Sequence, residues 1–200
     1  LAGTSTWAGS GAGTFSSFMG FLSENTKYYV RAYATDQDDS TYYGNQVVFT
    51  TLASNLSVGQ QYGGGIIFYI DSTGQHGLIT DQYDIQNAPW GCETTYLGGT
   101  SAAFGTGQAN SFAILAACAE ENIAVRECDD LVREGYDDWY LPSLDEFSYL
   151  WNTGVVTFWF GNQYQTSTEV NATQNWTYTG SGGYPASKFA PYMVRCIRTF

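Results

Sequence analysis

The stretch that decides the fold is Asp138-Trp139-Tyr140-Leu141-Pro142-Ser143-Leu144-Asp145-Glu146-Phe147, which combines the end of a strand with the start of a helix. Apolar residues alternate before Pro142, which cannot continue a hydrogen-bonded ladder. Ser143 and Glu146 have the spacing of a capping box, in which each side chain bonds the other residue's backbone N–H. The sequence therefore predicts a strand that stops at Pro142 and a helix that ends at Gly154. The predicted buried face of this helix holds Phe147, Leu150 and Trp151.

The charge of the chain limits its partners. It carries 19 acidic and only seven basic residues, for a formal net charge of −12. A chain of this charge is repelled by phosphate backbones and by anionic lipid, and no Lys/Arg cluster offsets the repulsion. We therefore expect neither nucleic acid nor a membrane surface as a partner.

Composition predicts an extracellular protein. No apolar run approaches the roughly 20 residues that a membrane-spanning helix needs. The chain begins at Leu1 without a signal-like segment, so we expect a mature or excised piece of a longer protein. Tyr, Trp, Thr, Ser, Asn and Gly are plentiful and Lys is almost absent, which is typical of secreted β-rich proteins.

Four cysteines are present, and disulfides are the favoured interpretation. There is no Cys-x-x-Cys motif and only one His, so a zinc site is not expected. Three pairings are possible. We favour Cys92 with Cys118 and Cys128 with Cys196, because the second pair would join a helix to the last strand; free buried thiols are the alternative.

Residues 1–52 are predicted to form a separate β unit. Side chains alternate between Tyr28 and Ala34 as in a sandwich strand, residues 36–40 are turn formers, and Gln46 to Thr51 predict a second strand.

The order of Tyr28, an alternating strand, a loop and Val47-Val48-Phe49-Thr50-Thr51 resembles the C-terminal half of a fibronectin type III domain, with Tyr28 as its corner tyrosine. A complete sandwich of this type needs about seven strands and about 100 residues. We therefore expect a partial sandwich from a longer multidomain protein. Strand donation by another subunit has the same signature, so self-assembly through the open edge stays an alternative.

Residues 53–60 are predicted to be a polar linker, and residues 61–200 a second domain. It opens with Gly63-Gly64-Gly65, a strand at 66–70, a turn and a returning strand from Leu78. The elements predicted after it are a helix from Asn110 or Ser111, a helix from about Ile123 to Gly135, the capped helix, and strands at 164–168, 175–179 and 193–200. The predicted fold class is α+β.

Three motifs follow one another in this domain: Gly64-Gly65-Ile66-Ile67-Phe68-Tyr69-Ile70-Asp71 with Gly74-Gln75-His76-Gly77-Leu78, then Asp138-Trp139-Tyr140-Leu141-Pro142-Ser143, then Val194-Arg195-Cys196-Ile197-Arg198. In this order they resemble the Lcl C-terminal domain family of bacterial surface proteins, over about residues 58–200. The resemblance implies a C-type lectin-like domain, with small antiparallel sheets flanked by two or three helices and a ligand held by the loops before the last strand. It also implies a bacterial surface adhesin that binds sulfated or acidic polysaccharide.

The basic residues of this chain argue against a polyanionic ligand. Lys188, Arg195 and Arg198 are the only ones after Arg133, and the two arginines alternate along a predicted strand. A neutral glycan or a protein is therefore expected instead. The tripeptides of calcium-dependent sugar binding are also missing, and Asn175-Trp176 is only a partial match.

Sugar recognition requires an aromatic ring that stacks on a pyranose and polar groups that bond its hydroxyls. The segment from Phe158 to Tyr192 is rich in both. The candidate glycan-binding residues are Trp159, Tyr164, Glu169, Asn175, Trp176, Tyr178, Tyr184 and Lys188. A core position is the stronger interpretation for Trp176, whereas Tyr178 and Tyr184 flank a glycine-rich turn and are expected to be exposed.

No catalytic activity is expected. The motifs of common hydrolases and metalloproteases are missing, and the single His, His76, lies in a predicted turn. The pairs Asp137-Asp138 and Asp145-Glu146 suggest glycosidic acid/base chemistry, but Glu146 has a capping role and neighbouring strand residues point to opposite faces.

Calcium is the one cofactor with any support in the sequence. Asp36, Asp38 and Asp39 cluster as hard cations require, but they lack the glycine and the distal Glu of an EF-hand. An acidic turn is therefore the stronger interpretation.

The sequence thus predicts an extracellular adhesion module that recognises a glycan through the loops before its last strand. The alternative is a structural or tip subunit of a filament, fibre or pilus that makes protein–protein contacts. The polar aromatic loop favours the first function, and the open half-sandwich favours the second.

Overall fold

The computed structural model describes residues 5–17, 19, 22–51, 56–159 and 161–200. The chain divides into two compact units, Leu1–Asn55 and Leu56–Phe200. The strands are β1 Lys27–Thr35, β2 Thr41–Thr50, β3 Gln61–Tyr62, β4 Gly65–Ile70, β5 Gly77–Thr80, β6 Ile85–Ala88, β7 Tyr164–Glu169, β8 Gln174–Thr179, β9 Gly182–Ser187, β10 Tyr192–Val194 and β11 Ile197–Thr199. The helices are α1 Gly107–Ala117, α2 Ala124–Asp129 and α3 Leu144–Thr153.

The first unit contains an antiparallel hairpin of β1 and β2. Tyr28 lies opposite Phe49, and their ring centroids are 5.9 Å apart. The Asp36 carboxylate closes the connecting turn by accepting the backbone N–H groups of Asp38 and Ser40. Because this turn is short and well bonded, β2 begins earlier than the sequence predicts.

A four-stranded antiparallel sheet, in the order β11-β5-β4-β3, opens the second unit. The turn between β3 and β4 requires glycine. Gly63 and Gly64 have φ values of 56° and 85°, in the left-handed region, and a Cβ on Gly64 would lie 2.8 Å from the carbonyl oxygen of Arg133. The predicted glycine run is therefore a tight turn that leads into the buried strand β4.

The last part of the chain belongs to two sheets, not to the single strand predicted at 193–200. β10 lies inside the five-stranded sheet β6-β10-β7-β8-β9, whereas β11 is an edge of the four-stranded sheet. The ladder breaks because Arg195 turns its side chain towards Asp84, while the carbonyl oxygen of Cys196 accepts the N–H of Asp81.

Both disulfides have the pairing that the sequence favours, Cys92–Cys118 and Cys128–Cys196. The first joins the loop after β6 to the residue that follows α1. The second joins α2 to the crossing between β10 and β11. It therefore fixes the point at which the chain leaves one sheet for the other.

The capped helix is confirmed. Ser143 Oγ accepts the N–H of Glu146 at 3.3 Å, and the Glu146 carboxylate accepts the N–H of Ser143 at 2.8 Å. The helix α3 ends at Gly154, which has a φ of 64°. Phe147 and Leu150 are buried, as the sequence predicts.

The first two helices differ from their predicted bounds. α1 begins at Gly107, before Asn110 and Ser111, because the Asn110 side chain bonds the backbone of Ser101 and does not cap the helix. α2 ends well before Gly135. At Gly135, which has a φ of 86°, the chain reverses direction, and an antiparallel bridge joins Arg133 to Tyr136.

Residues 56–60, which the sequence assigns to a linker, are part of the second unit. Leu56 packs against its core, and Gly59 and Gln60 exchange backbone hydrogen bonds with Ile67. Burial of the apolar Leu56 side chain is more favourable than its exposure to water, so this segment packs on the core. Residues 53–55 of the predicted linker lie outside the described residues.

In its described residues, the second unit therefore has a mixed α+β fold with two sheets and three short helices, which confirms the predicted class. One apolar cluster lies around Ile67 and Leu141, a second around Phe147 and Tyr164, and a third around Trp90. The C-type lectin-like assignment stays a prediction. No helix in the described part of the chain is long and apolar enough to span a bilayer.

Candidate functional site

The eight candidate glycan-binding residues do not form one open surface. Five of them are buried, namely Tyr164, Glu169, Asn175, Tyr178 and Lys188. Trp176 is half-buried, and only Trp159 and Tyr184 are exposed. The sequence pattern could not tell which side of each strand faces the core.

Lys188 and Glu169 form an internal ion pair. Lys188 Nζ lies 2.5 Å from Glu169 Oε1, donates to the Thr95 carbonyl oxygen at 2.8 Å, and is 4.4 Å from the ring centroid of Trp90. Glu169 also accepts two backbone N–H groups from residues 97–98. Both charges are therefore satisfied inside the protein, and neither is available to a sugar.

Tyr164 and Tyr178 belong to the aromatic core below α3. Their ring centroids lie 5.3 Å and 5.5 Å from that of Phe147. The Tyr164 hydroxyl donates to Asp84 Oδ2 at 2.9 Å, and burial raises the pKa of Tyr164 to about 12. The Tyr178 hydroxyl bonds Ser148 Oγ at 3.2 Å. The predicted exposure of Tyr178 is wrong, because its side of β8 packs on α3.

Asn175 is buried between strands. Its Nδ2 donates to Gln165 Oε1 at 2.8 Å and to the Trp176 carbonyl oxygen at 3.0 Å. Asn175 Oδ1 has no hydrogen-bond partner within the described residues. This amide therefore joins β7 to β8 and is not open to a ligand.

The two accessible aromatic residues of the β8–β9 hairpin point apart. Trp176 lies opposite Pro185, and Thr177 lies opposite Tyr184. Because side chains alternate along a strand, Trp176 and Tyr184 are on opposite faces. Trp159, in the loop before β7, is 69% exposed. The predicted residues therefore do not form a stacking platform.

The acidic turn holds its own backbone. Asp36 accepts two N–H groups of that turn, as described above, so this carboxylate is already used. Asp38 and Asp39 do not join it in a group of potential metal ligands. Within the described residues, one such group exists, formed by Cys92, Cys118 and Glu120, but its two sulfur atoms are bonded to each other.

One member of each carboxylate pair, Glu146 and Asp138, has structural partners. Glu146 accepts the N–H groups of Gly105 and Gly107, each at 3.1 Å, besides that of Ser143. Burial raises the pKa of Glu146, although these N–H groups partly oppose the shift. Asp138 forms a two-bond ion pair with Arg198, at 2.6 Å and 3.0 Å. These groups organise loops around α3 and β11.

Within the described residues, the hairpin of the first unit carries large exposed side chains on both faces, although Tyr28, Val30 and Phe49 are half-buried. We call the two faces of β1 and β2 the hairpin surface. Its exposed large side chains are Tyr29, Tyr33, Tyr42, Tyr43, Val47 and Val48. Val47 is 62% exposed and Tyr42 is 64% exposed, although the alternation of the sequence is typical of a half-buried strand.

Sequence reasoning missed an exposed group of three rings. Tyr69 of β4, Phe104 of the loop before α1 and Tyr149 of α3 form what we call the aromatic patch. Their ring centroids are 5.0 to 5.6 Å apart, and the rings meet edge to face. Phe104 is 38% exposed and Tyr149 is 44% exposed. Because the rings come from distant segments, no local pattern could reveal the patch.

Comparison with known proteins identifies no family. No protein-family profile and no curated protein sequence matches the chain. Among solved structures, the chain is similar to a fimbrial protein from Bacteroides ovatus, with a TM-score of 0.49 and 14% sequence identity. The match covers 78% of this chain and 56% of that chain, so this chain spans little more than half the length of that protein. At this identity and TM-score, no function is carried over.

Proposed function

We propose that this chain is a structural subunit of a bacterial surface filament or fibre, which binds a neighbouring subunit through the hairpin surface. Two disulfides support an extracellular position, because such bonds persist in oxidising compartments. The motif order of residues 58–200 supports a bacterial surface protein. The proposed function requires neither catalysis nor a cofactor.

The exposure of the hairpin surface carries this proposal. A two-stranded hairpin is at best marginally stable in water, and a third strand or a packed layer is needed to stabilise it. Full burial of a Val or an aromatic side chain contributes about 1.5–3 kcal/mol. A subunit that covers one face, and pairs with an open edge by strand addition, would supply the missing contacts.

We further propose that the second unit is a C-type lectin-like domain of the Lcl C-terminal type. The three motifs in order support this assignment, and the capped helix α3 lies where the second motif predicts it.

Glycan binding is the second candidate function. The aromatic patch favours it, because exposed rings can stack on a pyranose. The patch then replaces the loops before the last strand as the candidate contact.

Self-association of the full chain tests the proposed function. We expect the weight-average mass, measured by analytical ultracentrifugation, to rise with protein concentration. Val47→Thr combined with Val48→Thr keeps β-branched side chains but removes apolar surface on both faces of β2. This variant should associate at least tenfold more weakly than the wild-type chain.

Val132→Thr is the matched control. Val132 is 60% exposed in the second unit, so the same chemical change there should leave association unaltered. A wild-type chain that stays monomeric at every concentration, with β1 and β2 amides protected from hydrogen exchange, would contradict the proposal. That result would mean that the hairpin is stable without a partner.

A further inference from the structure

We propose that the hairpin surface of one subunit places Arg31 in an acidic groove on the second unit of the next subunit. The inference rests on the proposed function and deepens it, because it names the surface that receives the hairpin. Two different surfaces then meet at each contact, and subunits associate head to tail.

The groove lies between α1, α2 and the segment that precedes α3. It has a volume of about 190 Å³, and its apolar walls include Phe112, Leu115 and Trp139. Phe112 is 61% exposed, which is unusual for a Phe on a helix that packs on the core. The volume is below the roughly 300–1,000 Å³ of small-molecule pockets. Its size therefore suits one long side chain of a protein partner.

The rim of the groove carries uncompensated negative charge. Asp129, Asp137 and Asp138 converge there from α2 and from the segment before α3. Arg198 neutralises Asp138. Asp129 and Asp137 have neither an ion pair nor a side-chain hydrogen bond within the described residues. A cation that enters the groove thus meets two unpaired carboxylates beside an aromatic wall.

Every basic residue of the second unit is already engaged. Arg126 donates to two backbone carbonyl groups, whereas Arg133, Lys188, Arg195 and Arg198 pair with carboxylates. The chain has seven basic residues, so two are left. These are Lys27 and Arg31 of β1, both exposed and neither in an ion pair within the described part of the chain. Among the described residues of an assembly of identical subunits, they are the lysine and arginine side chains left for the groove.

The hairpin presents these cations on one face. Lys27, Tyr29 and Arg31 alternate along β1 and point the same way, and neither strand of the hairpin contains an acidic residue. The Arg31 guanidinium lies 3.9 Å from the ring centroid of Tyr43. An arginine side chain can lay its stem on apolar walls, stack on an aromatic ring and bond carboxylates with its planar group. The groove offers all three contacts, with Phe112 as the ring.

Charge is also divided between the two units. The second unit carries fifteen acidic and five basic residues, and the first carries four acidic and two basic ones. Two second units therefore repel each other, whereas the basic face of a hairpin is attracted to the groove. This difference favours contact between unlike surfaces over contact between like surfaces.

A charge exchange tests the contact. We expect Arg31→Glu alone and Asp129→Arg alone each to weaken self-association of the full chain at least tenfold in analytical ultracentrifugation. The chain that carries both changes should associate again, because the exchanged charges are complementary. Association of the wild-type chain should also weaken as salt rises, since ions screen exposed charges.

Asp130→Arg is the matched control, because Asp130 is exposed beside Asp129, does not line the groove and gives the same change in net charge. Equal loss in D130R and D129R would overturn the inference, because net charge alone would then explain it. Failure of the double exchange to restore association would overturn it as well. If R31E and D129R associate like the wild type while V47T/V48T does not, the hairpin binds elsewhere: the proposed function stands and this inference is wrong.

Discussion

At the scale of single residues, charged side chains near the last strand form ion pairs inside the protein. Arg195 Nη2 lies 2.5 Å from Asp84 Oδ1, and both side chains are almost fully buried, as are those of Lys188 and Glu169. Removing one member of such a pair leaves an uncompensated charge in a medium of low dielectric constant. These residues therefore determine how loops are held, and they are poor choices for ligand contacts.

Lys188→Met should destabilise the second unit by about 3–5 kcal/mol, because Glu169 would stay buried without its cation. Urea unfolding measures the effect. Lys27→Met is the control, since Lys27 is exposed, and we expect it to change the free energy of unfolding by less than about 0.5 kcal/mol. If K188M lowers the free energy of unfolding by less than about 1 kcal/mol, the Glu169 carboxyl group is hydrated or protonated at little cost once its cation is removed.

Glu146 predicts a pH dependence of stability. Its pKa is raised by burial above the ordinary value of 4.5, so the folded state binds this proton more tightly than the unfolded state. Stability from this group is complete below pH 4.5 and is lost as pH rises through the folded-state pKa. The contribution of this one group to the free energy of unfolding cannot change by more than about 1.4 kcal/mol per pH unit.

Glu146→Gln removes that titration. We expect the free energy of unfolding of the wild-type chain, minus that of E146Q, to fall as pH is raised from 4 towards 7 in denaturant titrations. Glu134→Gln is the control, because Glu134 is exposed in a turn and should give a flat difference. A difference that grows with pH would mean that the three N–H groups lower the pKa of Glu146 more than burial raises it.

At the scale of elements, the two disulfides constrain loops of different length. Cys92–Cys118 closes a separation of 26 residues, and Cys128–Cys196 closes one of 68 residues. In the chain-entropy model, the stabilisation grows with the logarithm of loop length. The bond that joins α2 to the crossing between sheets should therefore contribute more.

Replacing Cys128 and Cys196 by Ala should cost about 2–5 kcal/mol of unfolding free energy. The loop lengths predict that this cost exceeds that of the pair Cys92→Ala and Cys118→Ala by about 0.9 kcal/mol. Parallel urea titrations of the two double variants measure the difference. A larger loss for the shorter loop would show that native packing around α1 outweighs chain entropy.

At the scale of the whole molecule, local signals predicted local structure. Ser143, Glu146 and Gly154 determined a helix that the structure confirms, because caps act within one turn of the chain. The crossing between β10 and β11 escaped prediction, since it depends on Asp81 and Asp84, more than 100 residues earlier in the chain.

The candidate site was harder to predict than the fold. Tyr178 and Tyr184 have the same residue type and flank the same turn, yet only Tyr184 is exposed, because α3 covers one face of β8. Which face a helix covers is a tertiary fact with no signature near either tyrosine. The aromatic patch and the acidic groove could not be predicted for the same reason, because only the folded chain brings their residues together.

The division of residues 192–199 between two sheets has a consequence during synthesis. β10 lies in the interior of its sheet, between β6 and β7, and β11 forms the edge next to β5. A nascent chain that has not yet delivered these residues from the ribosome leaves both sheets incomplete. The second unit therefore completes both sheets only after translation has passed these residues.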